Sequence, residues 1–68
     1  MSYQKQFGKY AVKIGVNTVR WFKDFNKAQD LFNFYKSCGE DDPEEIDNEV
    51  LTLVDIQQNK VLDSFDPN

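Results

Sequence analysis

The chain contains no histidine and only one cysteine, two prolines and three glycines among its 68 residues. Histidine is the commonest general acid–base group and the commonest metal ligand, so its absence disfavours both catalysis and metal binding. The single cysteine, Cys38, excludes an internal disulfide and is typical of a protein from a reducing compartment. No apolar run approaches the roughly 18 residues that cross a bilayer. We therefore expect a cytoplasmic protein that is not an enzyme, binds no cofactor or metal and has no membrane contact.

A length of 68 residues limits the chain to one small domain, expected to span residues 1–68. Such a domain buries only about 60% of the surface that its unfolded chain exposes, so the ten aromatic side chains are needed for the core. A ligand pocket of roughly 300 Å³ or more would leave that core incomplete. The polar residues 1–7 are expected to be frayed and lack the apolar stretch of a signal peptide. The expected state is a monomer or a small homo-oligomer.

Residues 27–38 carry the clearest pattern, which is that of an amphipathic helix. Asn26 is the predicted N-cap, with Gln29 at the spacing of a capping box, and Gly39 is the predicted left-handed C-cap. Apolar side chains recur with the i, i+3, i+4, i+7 spacing of one helix face, at Ala28, Leu31, Phe32 and Tyr35.

Four segments alternate in hydrophobicity or are rich in β-branched residues, and we predict them to be strands: 9–14, 18–22, 50–56 and 61–65. Turns at 15–17 and 57–60 join them into two hairpins. Segment 50–56 is apolar on both of its faces, which predicts a central position in the sheet. The order β-β-α-β-β predicts an α+β fold, with one helix packed on an antiparallel sheet.

The charges of the chain divide at its middle. Residues 1–36 carry seven of the eight basic side chains and two carboxylates, a net charge of +5, whereas residues 37–68 carry one lysine and ten carboxylates, a net charge of −9. Seven of those carboxylates lie in residues 40–49, together with Pro43. Mutual repulsion and the proline both oppose regular structure, so this stretch is predicted to be an acidic loop.

Three interpretations of the acidic loop are open. The first is a site for Ca²⁺ or Mg²⁺, since clustered carboxylates are suitable ligands. Against it, the spacing does not match a calcium-binding loop, and the glycine of the sharp turn is missing. A solvated loop that keeps the protein soluble is the simplest interpretation. The third is a contact surface that docks on a basic patch of another protein, with Trp21 as an additional contact. We favour a small non-catalytic protein-binding accessory module on this basis; its proposed contact residues are Asp41, Asp42, Glu44, Glu45 and Trp21.

The alternative is a nucleic-acid-associated protein that uses the first hairpin. Basic side chains there are interleaved with Tyr10, Trp21 and Phe22, as on platforms that bind single strands. Alternation within each strand suggests that Tyr10 and Trp21 face away from the basic residues, and a net charge of −4 also opposes phosphate binding. Nucleic acid is therefore the less favoured partner; the residues concerned are Lys9, Lys13, Arg20 and Lys23.

Overall fold

The computed structural model describes residues 8–68, and the residues predicted to be frayed, 1–7, lie outside that range. The predicted α+β fold is confirmed: one helix packs on a four-stranded antiparallel sheet in the order β-β-α-β-β along the chain. No helix in the described part is both long enough and apolar enough to cross a membrane. The elements are β1 (Tyr10–Ile14), β2 (Asn17–Phe22), α1 (Phe25–Asp41), a 3₁₀ helix (Pro43–Ile46), β3 (Leu51–Asp55) and β4 (Lys60–Phe65).

The strands are arranged in the order β2-β1-β3-β4, which confirms the central position predicted for the third strand. Both edge strands contain a bulge. The register of β1 with β2 shifts after Val12, leaving Val19 as an extra residue in β2. The register of β3 with β4 shifts after Leu53, leaving Leu62 as an extra residue in β4. The two edges of the sheet are therefore irregular, whereas the central pair β1–β3 is regular.

The hydrophobic core lies between the helix and one face of the sheet. Ala28 and Phe32 project from the helix and have no exposed surface. They pack on the sheet face that carries Val12, Leu51 and Leu53, which are equally buried. Each large apolar side chain buried in this way stabilises the fold by about 1.5–3 kcal/mol. The other face of the sheet has no helix over it in the described part of the chain.

The helix begins two residues earlier than the sequence pattern indicates, so the predicted N-cap Asn26 is wrong. Asp24 is the N-cap, and its carboxylate accepts a hydrogen bond from the backbone N–H of Asn26 at 2.9 Å. Phe25 becomes the first helical residue and packs edge-on against Tyr10, with ring centroids 5.6 Å apart. Asp24 and Asn26 both have short polar side chains suited to capping. The contact of Phe25 with β1 favours Asp24, because it makes Phe25 part of the helix.

Gly39 does not end the helix, and its prediction as a C-cap is also wrong. It is a buried residue inside α1, which continues to Asp41. A Cβ atom at this position would lie 2.7 Å from Ile46 Cδ1 and 3.0 Å from Phe65 Cε2. The glycine is therefore explained by the close approach of two other elements to the helix. A left-handed backbone conformation is not involved, since only Gly8 and Gly15 have positive φ among the described glycines.

The stretch 40–49, which we call the acidic segment, is more regular than predicted. Its first two residues extend the helix, and Pro43–Ile46 forms a 3₁₀ helix. The carboxylate of Asp42 caps that helix by accepting the N–H of Glu44 at 3.1 Å. Proline at the first turn suits a helix start, and Ile46 is fully buried in the core. Burial of Ile46, worth about 1.5–3 kcal/mol, outweighs the repulsion between exposed carboxylates.

Asp24→Ala is expected to lower the free energy of unfolding by about 0.5–2 kcal/mol, since the variant lacks the side-chain acceptor for the N–H of Asn26 in the first turn of the helix. Urea denaturation followed by far-UV circular dichroism measures this loss. Asp30→Ala is the matched control, because Asp30 is an exposed residue in the middle of the same helix. Equal losses in the two variants would contradict the capping role of Asp24.

Candidate functional site

The acidic segment lies at one end of the sheet, where β1 ends and β3 begins. The backbone N–H of Gly15 in the first hairpin turn donates to the carbonyl of Val50 at 2.8 Å. The side-chain amide of Asn68 donates to the carbonyl of Asn48 at 3.1 Å, which ties the C-terminal residue to the same place. We call this end, with the exposed carboxylates of residues 40–49, the acidic end. It is held on one side by a backbone hydrogen bond and on the other by a hydrogen bond from a side-chain amide.

Of the acidic residues proposed as contacts, Asp41, Glu44 and Glu45 are exposed and project from two helical turns. Asp42 is also exposed, but its carboxylate is engaged as the cap of the 3₁₀ helix. Glu49 reaches the first hairpin at its turn: a Cβ atom on Gly15 would lie 2.8 Å from Glu49 Oε2. Among residues 8–68, no group of three or more Cys, Asp or Glu side chains is arranged so that it could hold a metal ion.

Trp21 is not part of the acidic end. Trp21 in β2 pairs with Ala11 in β1. Ala11 is three residues before Ile14, the end of β1 that lies next to the acidic segment. Three residues of strand correspond to about 10 Å at roughly 3.3 Å per residue. The structure therefore places the proposed acidic contacts and Trp21 on two separate surfaces.

The prediction that Trp21 faces away from Lys9 and Lys13 is wrong. Directly opposite residues in a sheet share a face, and Trp21 lies opposite Ala11, on the face that also carries Lys13. Arg20 lies opposite Val12 on the helix side of the sheet, with its guanidinium 5.6 Å from the centre of the Phe22 ring. Alternation shows which residues of one strand share a face. It does not show which residues of the neighbouring strand lie on that same face, because this depends on how the two strands pair.

The face of the sheet away from the helix, which we call the open face, contains a shallow groove of about 330 Å³. Trp21 forms part of its wall and keeps 39% of its surface exposed. Ala11 lies at the groove and is only 2% exposed, although the helices of the described residues 8–68 lie on the other face of the sheet. The sequence analysis did not predict that β3 helps to form this groove. The signal was present, because β3 is apolar on both of its faces and only one of them packs on the core. The lining residues are Ala11, Lys13, Thr18, Trp21, Val54, Ile56 and Asn59.

The charges on the two faces of the sheet differ. Lys9 precedes β1 and lies opposite Ile56, because the Tyr10–Asp55 register continues with a hydrogen bond from the Ile56 N–H to the Lys9 carbonyl. Opposite residues share a face, so Lys9 lies on the same face as Ile56, which lines the groove. The strand carboxylates have the opposite orientation: Asp55 lies opposite Tyr10 and Asp63 lies opposite Leu53, both on the helix side. The remaining basic residue proposed for the first hairpin, Lys23, is exposed and follows the end of β2.

Comparisons with protein-family models, with curated proteins and with solved structures give no match for this chain. The two surfaces described above, the acidic end and the open face, are therefore the basis on which a function can be inferred.

Proposed function

We propose that the protein is a small non-catalytic module that binds another protein by docking its acidic end on a basic surface of that partner. One observation carries this proposal: exposed carboxylates are clustered on two helical turns that are anchored to the core. Ile46, at the end of the 3₁₀ helix, has no exposed surface.

The anchoring supports a recognition role because ordered groups lose less conformational entropy on binding than groups on a flexible loop. The side chains of Asp41, Glu44 and Glu45 are carried on a backbone fixed by the buried Ile46 and by the hydrogen bond between Asn68 and Asn48. A cluster of one charge sign raises the rate of encounter with a surface of the opposite sign and orients it.

The contact residues are now a smaller set than the sequence indicated. Asp41, Glu44 and Glu45 supply the charge. Asp42 is needed for the local structure, because its carboxylate caps the 3₁₀ helix. The proposed contact leaves out Trp21, which lies on the open face.

Replacing Asp41 and the two glutamates together (D41N/E44Q/E45Q) is expected to slow association with the partner about tenfold at low salt, with a smaller effect on dissociation. The partner is first captured from an extract of the source cells with immobilised wild-type protein and identified by mass spectrometry. Surface plasmon resonance at two salt concentrations then gives the association and dissociation rates of both proteins.

The matched control D30K/S37K changes the net charge by the same amount on exposed positions of the helix. It should leave association nearly unchanged if the acidic end itself makes the contact. An unchanged association rate in the triple variant would contradict the proposal. Equal slowing in both variants would also contradict it, because the effect would then come from net charge alone.

A further inference from the structure

We propose that the open face of the sheet binds single-stranded nucleic acid, with a base stacked on Trp21 and with phosphates paired to Lys9 and Lys13. This inference goes beyond the protein-binding role and involves a different surface. It depends on three features of the open face: its shape, its charge and the kind of side chains that it presents.

The shape of the open face suits an unpaired base. The groove has a volume of about 330 Å³, at the low end of the roughly 300–1,000 Å³ range of small-molecule sites. Trp21 borders it, with 39% of its surface exposed. The opposite wall is formed by Val54 and Ile56 of the β3 side. A flat ring beside apolar side chains offers a stacking surface to any base, because every base has a π face.

The charge of the open face suits a phosphate backbone although the whole chain has a net charge of −4. Lys9 and Lys13 lie on this face, two strand positions on either side of the Ala11–Trp21 pair. The carboxylates of the neighbouring strands, Asp55 and Asp63, lie on the helix side. Within the described strands and the residue that precedes β1, the charged side chains on the open face are therefore those of Lys9 and Lys13, and both are positive.

Other occupants of the open face fit less well. A second copy packed face to face would bring lysines against lysines, with the carboxylates of β3 and β4 directed away from the interface. An acidic peptide would pair with Lys9 and Lys13 but does not carry planar groups at regular intervals that could stack on an indole ring. A single strand satisfies both requirements, because it alternates planar bases with negatively charged phosphates.

Binding is tested by titrating the protein into a labelled oligothymidylate of about twelve nucleotides. Trp21 is the single tryptophan of the chain, so its fluorescence reports directly on the open face. We expect the label to gain anisotropy and the tryptophan emission to be quenched in parallel. With two phosphates paired to lysines, affinity should fall about sevenfold between about 50 mM and about 200 mM salt, since each contact contributes roughly 0.7 to the logarithmic slope.

Variants of the open face separate this site from general attraction to basic groups. K9Q/K13Q is expected to lower the affinity at low salt about tenfold and to remove most of the salt dependence. Trp21→Thr is expected to lower affinity about tenfold by loss of stacking, whereas Trp21→Phe retains most of it. The matched control is K27Q/K36Q, which removes two exposed lysines from the helix and should leave binding unchanged.

Absence of binding at about 50 mM salt, or binding without quenching of Trp21, would overturn the proposal. An equal loss in K27Q/K36Q would overturn it as well. Quenching by poly-glutamate, without quenching by the oligonucleotide, would identify the open face as a peptide site instead. Because Trp21→Thr can disturb the sheet, its fold is checked by circular dichroism; the lysine variants and the wild-type salt slope decide the question without it.

Discussion

Ile46→Ala is expected to reduce the free energy of unfolding by about 2–5 kcal/mol and to release the acidic segment from the core. Ile46 has no exposed surface and belongs to the same buried cluster as Phe32 and Leu51. Truncation leaves a cavity that the surrounding helix and sheet fill only in part. For a domain of this size, with an expected stability of about 3–10 kcal/mol, the loss is a large fraction of the total. Urea denaturation followed by circular dichroism measures it.

Val61→Ala is the matched control, because Val61 is an apolar β-branched residue with 56% of its surface exposed. A surface change of this kind is expected to alter stability by about 0.5 kcal/mol or less. If Ile46→Ala cost no more than Val61→Ala, the acidic segment would not be anchored by its isoleucine. The ordered scaffold on which the proposed docking depends would then be absent.

Gly39→Ala is expected to destabilise the protein by about 1–3 kcal/mol, through overpacking. The sign is opposite to the usual result, since alanine normally stabilises the interior of a helix by up to about 1 kcal/mol relative to glycine. The added methyl group would lie 2.7 Å from Ile46 Cδ1 and 3.0 Å from Phe65 Cε2, so both neighbouring side chains would have to move from their packed positions. Thermal and urea denaturation of the variant measure the change.

A double-mutant cycle tests the cause. Ile46→Val removes the Cδ1 methyl group that the new alanine would meet, at a cost of about 0.5–1.5 kcal/mol on its own. The combined variant G39A/I46V should therefore be more stable than the sum of the two single changes indicates. Ser37→Ala, at an exposed position in the same helix, is the control and should change stability by about 0.5 kcal/mol or less. Simple additivity would show that the Gly39–Ile46 contact is not the source of the loss.

The elements of the fold were predictable from the sequence because they depend on local patterns. The apolar spacing of Ala28, Leu31 and Phe32 identified the helix, and alternation identified the strands. The central position of β3 followed from its two apolar faces, one packed on the core and the other lining the groove. In each case the signal lies within about ten neighbouring residues, where periodicity is informative.

The predictions that failed depend on contacts between residues far apart in the sequence. The start of the helix at Phe25 is fixed by its contact with Tyr10, and the glycine at position 39 by Ile46 and Phe65. The face on which Trp21 lies depends on the pairing of β2 with β1. For the candidate surfaces, the sequence identified the acidic residues but did not indicate that Trp21 and Lys13 belong together.

The bulges in β2 and β4 have a consequence for how this protein meets its own copies. An incoming strand would find the spacing of backbone donors and acceptors interrupted at Val19 on one side of the sheet and at Leu62 on the other. Irregular edges of this kind discourage edge-to-edge pairing of sheets, by which β-rich fibrils grow. We therefore expect contacts between copies to be made by side chains rather than by strand pairing, and the chain to tolerate high local concentration, for example when fused to a larger carrier.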